Sequence, residues 1–214
     1  MSRTLRVGIG GPIGCGKTEL IEKLTPRLKN EGLNVGIVTN DIYSKEDARR
    51  MSIKLDGVIS PDEIIGIETG LCPHTAVRDD PSMNLEAVNR LESENGNLDI
   101  ILIESGGDNV TLTFSNKLAD MFIYMIDVAS GDKTVRKGGL GILKSDLLLI
   151  NKIDLSPYVE TTIPESETST ANLQIMKEDA AKIRPDKPTV FISLKEDNGI
   201  DEIVSYIKEK GLYL

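Results

Sequence analysis

Short, nearly continuous apolar runs recur along this chain, separated by segments whose apolar positions return every three or four residues. The runs fall at 6–10, 35–39, 64–67, 100–104, 122–127, 147–151 and 189–193. Each is strand-sized and rich in Val, Ile and Leu, without the regular polar alternation of a strand that has one wet face. Such runs are expected to be covered on both faces, as in a parallel sheet. The segments at 17–29, 45–54, 83–93, 169–183 and 199–210 read as amphipathic helices between them. Strand and helix in alternation predict an α/β fold with a doubly wound, mostly parallel sheet, whose ligands gather at the carboxyl ends of the strands. No internal repeat interrupts the pattern. The stretch 156–170 is rich in Ser, Thr, Glu and Pro and reads as a mobile surface loop rather than a boundary. One domain over 1–214 is therefore expected.

The first strand runs into Gly11-Pro12-Ile13-Gly14-Cys15-Gly16-Lys17-Thr18, which fits G-x-x-x-x-G-K-[ST], and a helical segment follows. That context is the one a phosphate loop needs. Gly11, Gly14 and Gly16 let the backbone curl so that amide N–H groups face phosphate oxygens. Lys17 supplies a point charge to the outer phosphates, and the Thr18 hydroxyl is a ligand for Mg²⁺.

A second motif selects the base. Asn151-Lys152-Ile153-Asp154 ends a buried run. Guanine presents two donors on one edge, which a carboxylate such as Asp154 accepts together, and adenine has no matching pair. Asn151 either bonds the ring or braces the phosphate loop, and the Lys152 stem covers the base plane. Further on, Ser193-Leu194-Lys195 resembles the S-A-K motif that supports guanine. GTP is expected over ATP.

Three more runs end in carboxylates, Asp41, Glu68 and Glu104. They suggest a cluster for Mg²⁺ and the attacking water, with Asp41 and Glu104 as catalytic candidates beside Lys17 and with Thr18, Asp41 and Glu68 as Mg²⁺ candidates.

Cys72-Pro73-His74 contains the chain's one histidine and one of its two cysteines. In an extended segment, residues two apart point the same way, so thiolate and imidazole would face one site, a pair suited to Ni, Cu or Zn. Two ligands leave a four-coordinate site half filled. Either two chains complete it as Cys₂His₂, or water and carboxylates do.

Net charge −9 and a pI near 4.8 argue against nucleic-acid binding and against attraction to an anionic membrane. No run reaches membrane-spanning length, and the start of the chain passes directly into the first strand without room for a signal peptide. Two cysteines, one of them in the phosphate loop, fit a reduced, cytoplasmic enzyme.

Taken together, residues 10–18, Thr39 to Tyr43, Glu68 to Ala76, Ser82 to Leu85, Glu104 to Asn109, Arg136 to Gly139 and Asn151 to Asp154 resemble the family of urease accessory protein G. The resemblance spans nearly the whole chain. It implies a P-loop NTPase of the SIMIBI type that hydrolyses GTP slowly on its own and acts as a nickel chaperone. The family binds Ni²⁺ at Cys-Pro-His from two protomers of a GTP-dependent homodimer. It works with accessory proteins F and D (or H), receives nickel from accessory protein E and passes it to the urease apoprotein. By this resemblance Cys72 and His74 are the nickel ligands, with Zn²⁺ possible in their place. Gly14, Gly16, Lys17 and Thr18 make the phosphate contacts, and Asn151, Lys152 and Asp154 the base contacts. Leu71 departs from the family, which usually has Gly there. The alternatives are a chaperone for another nickel enzyme or for cobalamin, a regulatory GTP switch with structural Cys72 and His74, and a small-molecule kinase.

Overall fold

A computed structural model of the 214-residue chain describes residues 3–41, 46–70, 75–107, 111–159 and 172–214. The apolar runs become seven strands: β1 (Leu5–Gly10), β2 (Val35–Asp41), β3 (Ile64–Glu68), β4 (Ile100–Glu104), β5 (Met121–Asp127), β6 (Leu147–Asn151) and β7 (Thr189–Phe191). They form one sheet in the order β3-β2-β4-β1-β5-β6-β7, and every pairing is parallel. The order reverses direction around β1, so the loop leaving β1 sits at the crevice where such sheets take ligands.

Side chains alternate between the two faces as the strand period requires. Ile100 and Leu102 of β4, Ile123 and Met125 of β5, and Leu147 and Leu149 of β6 join one buried cluster. Ile101 and Ile103, Phe122, Tyr124 and Ile126, and Leu148 and Ile150 join the other. Helices α1 (Lys17–Asn30), α2 (Glu46–Lys54) and α7 (Ile200–Tyr206) cover the first face through Leu20, Leu24, Met51 and Ile203. Helices α3 (Ser82–Glu94), α4 (Lys133–Lys137), α5 (Leu140–Lys144) and α6 (Leu173–Ile183) cover the second through Val88, Leu91, Val135, Ile142 and Met176.

Some elements differ from the sequence expectation. The last strand stops at Phe191, and Ser193 instead makes an isolated antiparallel bridge with Asn198. The helix expected over 199–210 ends at Tyr206 and continues as a π turn, Ile207–Leu212. The expected loop over 156–170 falls mostly outside the described residues; its first residues close a 3-10 helix, Ile153–Tyr158. Among the described residues no helix is long and apolar enough to cross a membrane.

Candidate nucleotide and metal site

The loop between β1 and α1 turns on glycine. Gly11, Gly14 and Gly16 all take positive φ (151°, 79° and 108°). Gly16 is needed twice over, because a Cβ there would also stand 2.6 Å from the Asn151 amide nitrogen. The Lys17 ammonium lies back across the loop and donates to the carbonyl oxygens of Gly11 (2.9 Å) and Pro12 (3.2 Å). Cys15 is buried beneath the loop. Burial pushes its thiol up to about 11, with the charge of Lys17 opposing this incompletely.

The sheet register sets β4 beside this loop. Glu104 pairs with Ile9 on one side and with Thr39 on the other. Its carboxylate accepts a 2.6 Å hydrogen bond from the Thr18 hydroxyl through Oε1, while Oε2 is buried without a partner. Burial raises the carboxyl to about 7; the Thr18 hydrogen bond and the charge of Lys17 oppose this incompletely. A buried, half-satisfied carboxylate against the phosphate-loop hydroxyl fits a Mg²⁺ site, with Thr18 and Glu104 as its protein groups.

The other two carboxylates lie elsewhere. Asp41 and Glu68 face each other at the ends of neighbouring strands β2 and β3. Asp41 stands two positions beyond Thr39, the partner of Glu104, and Glu68 is exposed on the edge strand. Among the described residues no three His, Cys, Asp or Glu side chains converge to hold a metal, so the three-carboxylate cluster expected from the sequence is not assembled here. The sequence placed all three at the ends of strands, and the sheet sets those strands side by side as β3-β2-β4, with Asp41 and Glu68 in register and Glu104 two positions short of them. Cys72 and His74 lie outside the described residues.

The base end is already braced. The Asn151 side chain donates to the Cys15 carbonyl (2.9 Å) and accepts from the Leu194 amide (3.2 Å), tying the phosphate loop to the segment after β7. These contacts brace the phosphate loop. Lys152 adopts a left-handed backbone (φ 62°) and donates to the Gly14 carbonyl (2.6 Å) and to Asp127 (2.7 Å). Asp154 accepts a 2.6 Å hydrogen bond from the Ser193 hydroxyl, so the S-A-K-like segment holds the carboxylate that would read guanine. Asp127 went unnoticed in the sequence. Its position at the end of an apolar run, like that of Glu104, was the available signal. A cleft of about 720 Å³ runs from Gly14, Gly16, Lys17 and Thr18 along α1 to Asp47, Arg50 and Lys54 of α2.

Residues 5–190 match the family model described as the CobW/HypB/UreG nucleotide-binding domain. Urease accessory protein UreG 2 of Methylorubrum populi is 49% identical over 213 residues, covering all of this chain and 94% of that protein. Urease accessory protein UreG of Edwardsiella ictaluri is 48% identical over 213 residues, covering all of this chain and 97% of its own. Among solved structures, the hydrogenase maturation factor HypB of Archaeoglobus fulgidus superposes with a TM-score of 0.72 at 26% identity, covering 96% of this chain and 89% of that one. HypB of Helicobacter pylori, solved in complex with nickel, gives a TM-score of 0.78 at 24% identity, covering 98% and 88%; that likeness shows the fold alone.

Proposed function

We propose, for a chain that belongs to the CobW/HypB/UreG family of P-loop GTPases and within it to the urease accessory proteins, that GTP binding and hydrolysis control the loading and release of a nickel ion destined for the urease active site. The observation that carries this reading is near-half identity to urease accessory proteins along the whole chain, in a molecule whose phosphate loop and base-reading carboxylate are both preformed.

In this reading Lys17 exchanges the carbonyls of Gly11 and Pro12 for phosphate oxygens, and the loop amides take the rest. Asp154, steadied by Ser193, accepts both donors of guanine. Mg²⁺, held by Thr18 and Glu104, would draw off charge from the terminal phosphates. Asp41 or Glu104 orients the water that attacks, and Glu68 lies at the entry to the metal segment. Nickel is the cargo. Cys72 and His74 of two protomers hold it across a dimer that forms with GTP, and Zn²⁺ competes for the same ligands. Loss of the γ-phosphate opens the pair. Accessory proteins F and D or H, the donor E and the urease apoprotein are the partners in this scheme, and the cytoplasm is its setting.

Equilibrium dialysis tests the reading. With a non-hydrolysable GTP analogue and Mg²⁺, wild type should retain about one Ni²⁺ per two chains, as a shared four-ligand site requires. Cys72→Ala and His74→Ala should lose that ion and keep the nucleotide. One Ni²⁺ per chain, indifferent to nucleotide, would overturn it.

A further inference from the structure

The Ser82-Met83-Asn84-Leu85 segment plays no part in the chemistry above, yet Asn84 is completely buried (0% exposed) in the first turn of α3. Its partner is Asn40, also buried, next to last in β2. Each side-chain amide donates one hydrogen to the other's Oδ1, both at 2.9 Å. The second hydrogen of Asn40 goes to the Glu104 carbonyl oxygen (2.8 Å), and that of Asn84 to the Ala76 carbonyl oxygen (2.9 Å). All four amide hydrogens are placed, which a buried amide needs if it is not to destabilise the fold.

The two outer contacts lie at functional places. Glu104 is the residue whose side chain holds Thr18 of the phosphate loop. Ala76 is the second residue of the turn Thr75–Asp79 and comes two positions after His74. The other side of the Cys72-Pro73-His74 segment is tied to β2 as well. There the Thr69 amide and hydroxyl donate to the Asp41 carbonyl oxygen at 2.8 and 3.2 Å. The chain thus enters this segment on hydrogen bonds to Asp41 of β2 and leaves it on one from Asn84 of α3, which is itself paired with Asn40, the neighbour of Asp41. Apolar packing of Ala87, Val88 and Leu91 already fixes α3 to the sheet, so a polar pair at the same contact is not required for attachment.

We propose that Asn40 and Asn84 are positioning residues that couple the phosphate end of the nucleotide site to the Cys-Pro-His segment. When nucleotide alters the hold of Thr18 on Glu104, the end of β4 and the end of β2 shift together. The paired amides carry that shift to the Ala76 carbonyl, two positions after His74 in the chain. The inference rests on the nickel reading above and adds the route by which GTP reaches the metal ligands.

The test is the ratio of Ni²⁺ affinities with and without the GTP analogue and Mg²⁺. Wild type should bind Ni²⁺ at least about tenfold more tightly with nucleotide, within the usual range for coupled sites. In Asn84→Asp the carboxylate still accepts from Asn40 but donates nothing to Ala76 or back to Asn40 Oδ1. The ratio should fall to within about twofold of unity while affinity for the analogue holds. The double variant Asn40→Leu/Asn84→Leu removes both side-chain amides together, so that neither faces an unpaired partner amide and only the Glu104 and Ala76 carbonyls lose a donor; in it too the ratio should fall to within about twofold of unity. Amide hydrogen exchange on wild type reads the same prediction without substitution, since the analogue should change protection over 75–80. A wild type with no nucleotide effect on Ni²⁺ would overturn the nickel reading and this inference with it. An intact ratio in a folded Asn84→Asp, or exchange over 75–80 unmoved by nucleotide in a coupled wild type, would overturn this inference alone.

Discussion

Glu104 shows how a single side chain can be poised by its surroundings. Its carboxyl is raised from 4.5 to about 7 by burial. The folded chain then binds a proton that the unfolded chain has released, so this contribution to stability is complete below pH 4.5 and is lost as pH rises through about 7. Urea melts of nucleotide-free protein should show wild type losing about 3 kcal/mol relative to Glu104→Gln between roughly pH 5 and pH 8. Parallel curves would show that the carboxyl is not held in this way. At Gly16 the constraint is steric. Its φ of 108° and its approach to Asn151 leave no room for a methyl group. Gly16→Ala should weaken GTP binding by about tenfold or more while far-ultraviolet circular dichroism stays unchanged, as checked by titration with a fluorescent GTP analogue. The places of such residues were legible in the sequence where a motif carried them, as for Lys17 and Thr18 in the phosphate loop and Asp154 beside Ser193. The bracing contacts of Asn151 were not, because they depend on Cys15 and Leu194 lying beside it in space. The Asn40–Asn84 pair was hidden for the same reason: the residues are 44 positions apart and neither stands out alone.

At the scale of elements, what the pattern could predict followed from burial. Strands covered on both faces leave continuous apolar runs, so all seven were readable to within a few residues, and α1 to α3 with them. The short helices α4 and α5, five residues each, were not. Glycines bracket them at 138–139, and tertiary packing of Val135, Ile142 and Gly141 against the sheet holds them rather than any helical period. The π turn over Thr75–Asp79 was equally invisible, since no local pattern announces it. The same burial predicts unequal costs of mutation. Ile123→Ala, in the middle of β5 and fully buried, should cost about 2–5 kcal/mol in chemical denaturation. Ile13→Ala, in a residue 81% exposed on the phosphate loop, should cost less than about 0.5 kcal/mol. Equal losses at the two sites would contradict the assignment of the core.

For the whole molecule, the strand order joins the two ends of the proposed cycle. β4 touches both β1, which carries the phosphate loop, and β2, which carries the anchors of the Cys-Pro-His segment. One histidine and one cysteine in Cys72-Pro73-His74 leave a four-ligand site half filled, and the proposed reading completes it with a second copy of the chain. Base choice is tested at the same scale. Asp154→Asn replaces two acceptors for guanine by an amide, and should cost GTP affinity on the order of a hundredfold while relaxing discrimination against xanthosine triphosphate, whose ring offers an oxygen in place of the guanine amine. The most direct measurement of the central claim is molecular mass by light scattering, with Ni²⁺ and a non-hydrolysable GTP analogue added separately and together, for wild type and His74→Ala. The account predicts a wild-type dimer that needs both ligands, holds about one Ni²⁺ per two chains, and is absent in the variant. A wild type that stays monomeric under every condition, or a variant that dimerises as wild type does, would contradict it.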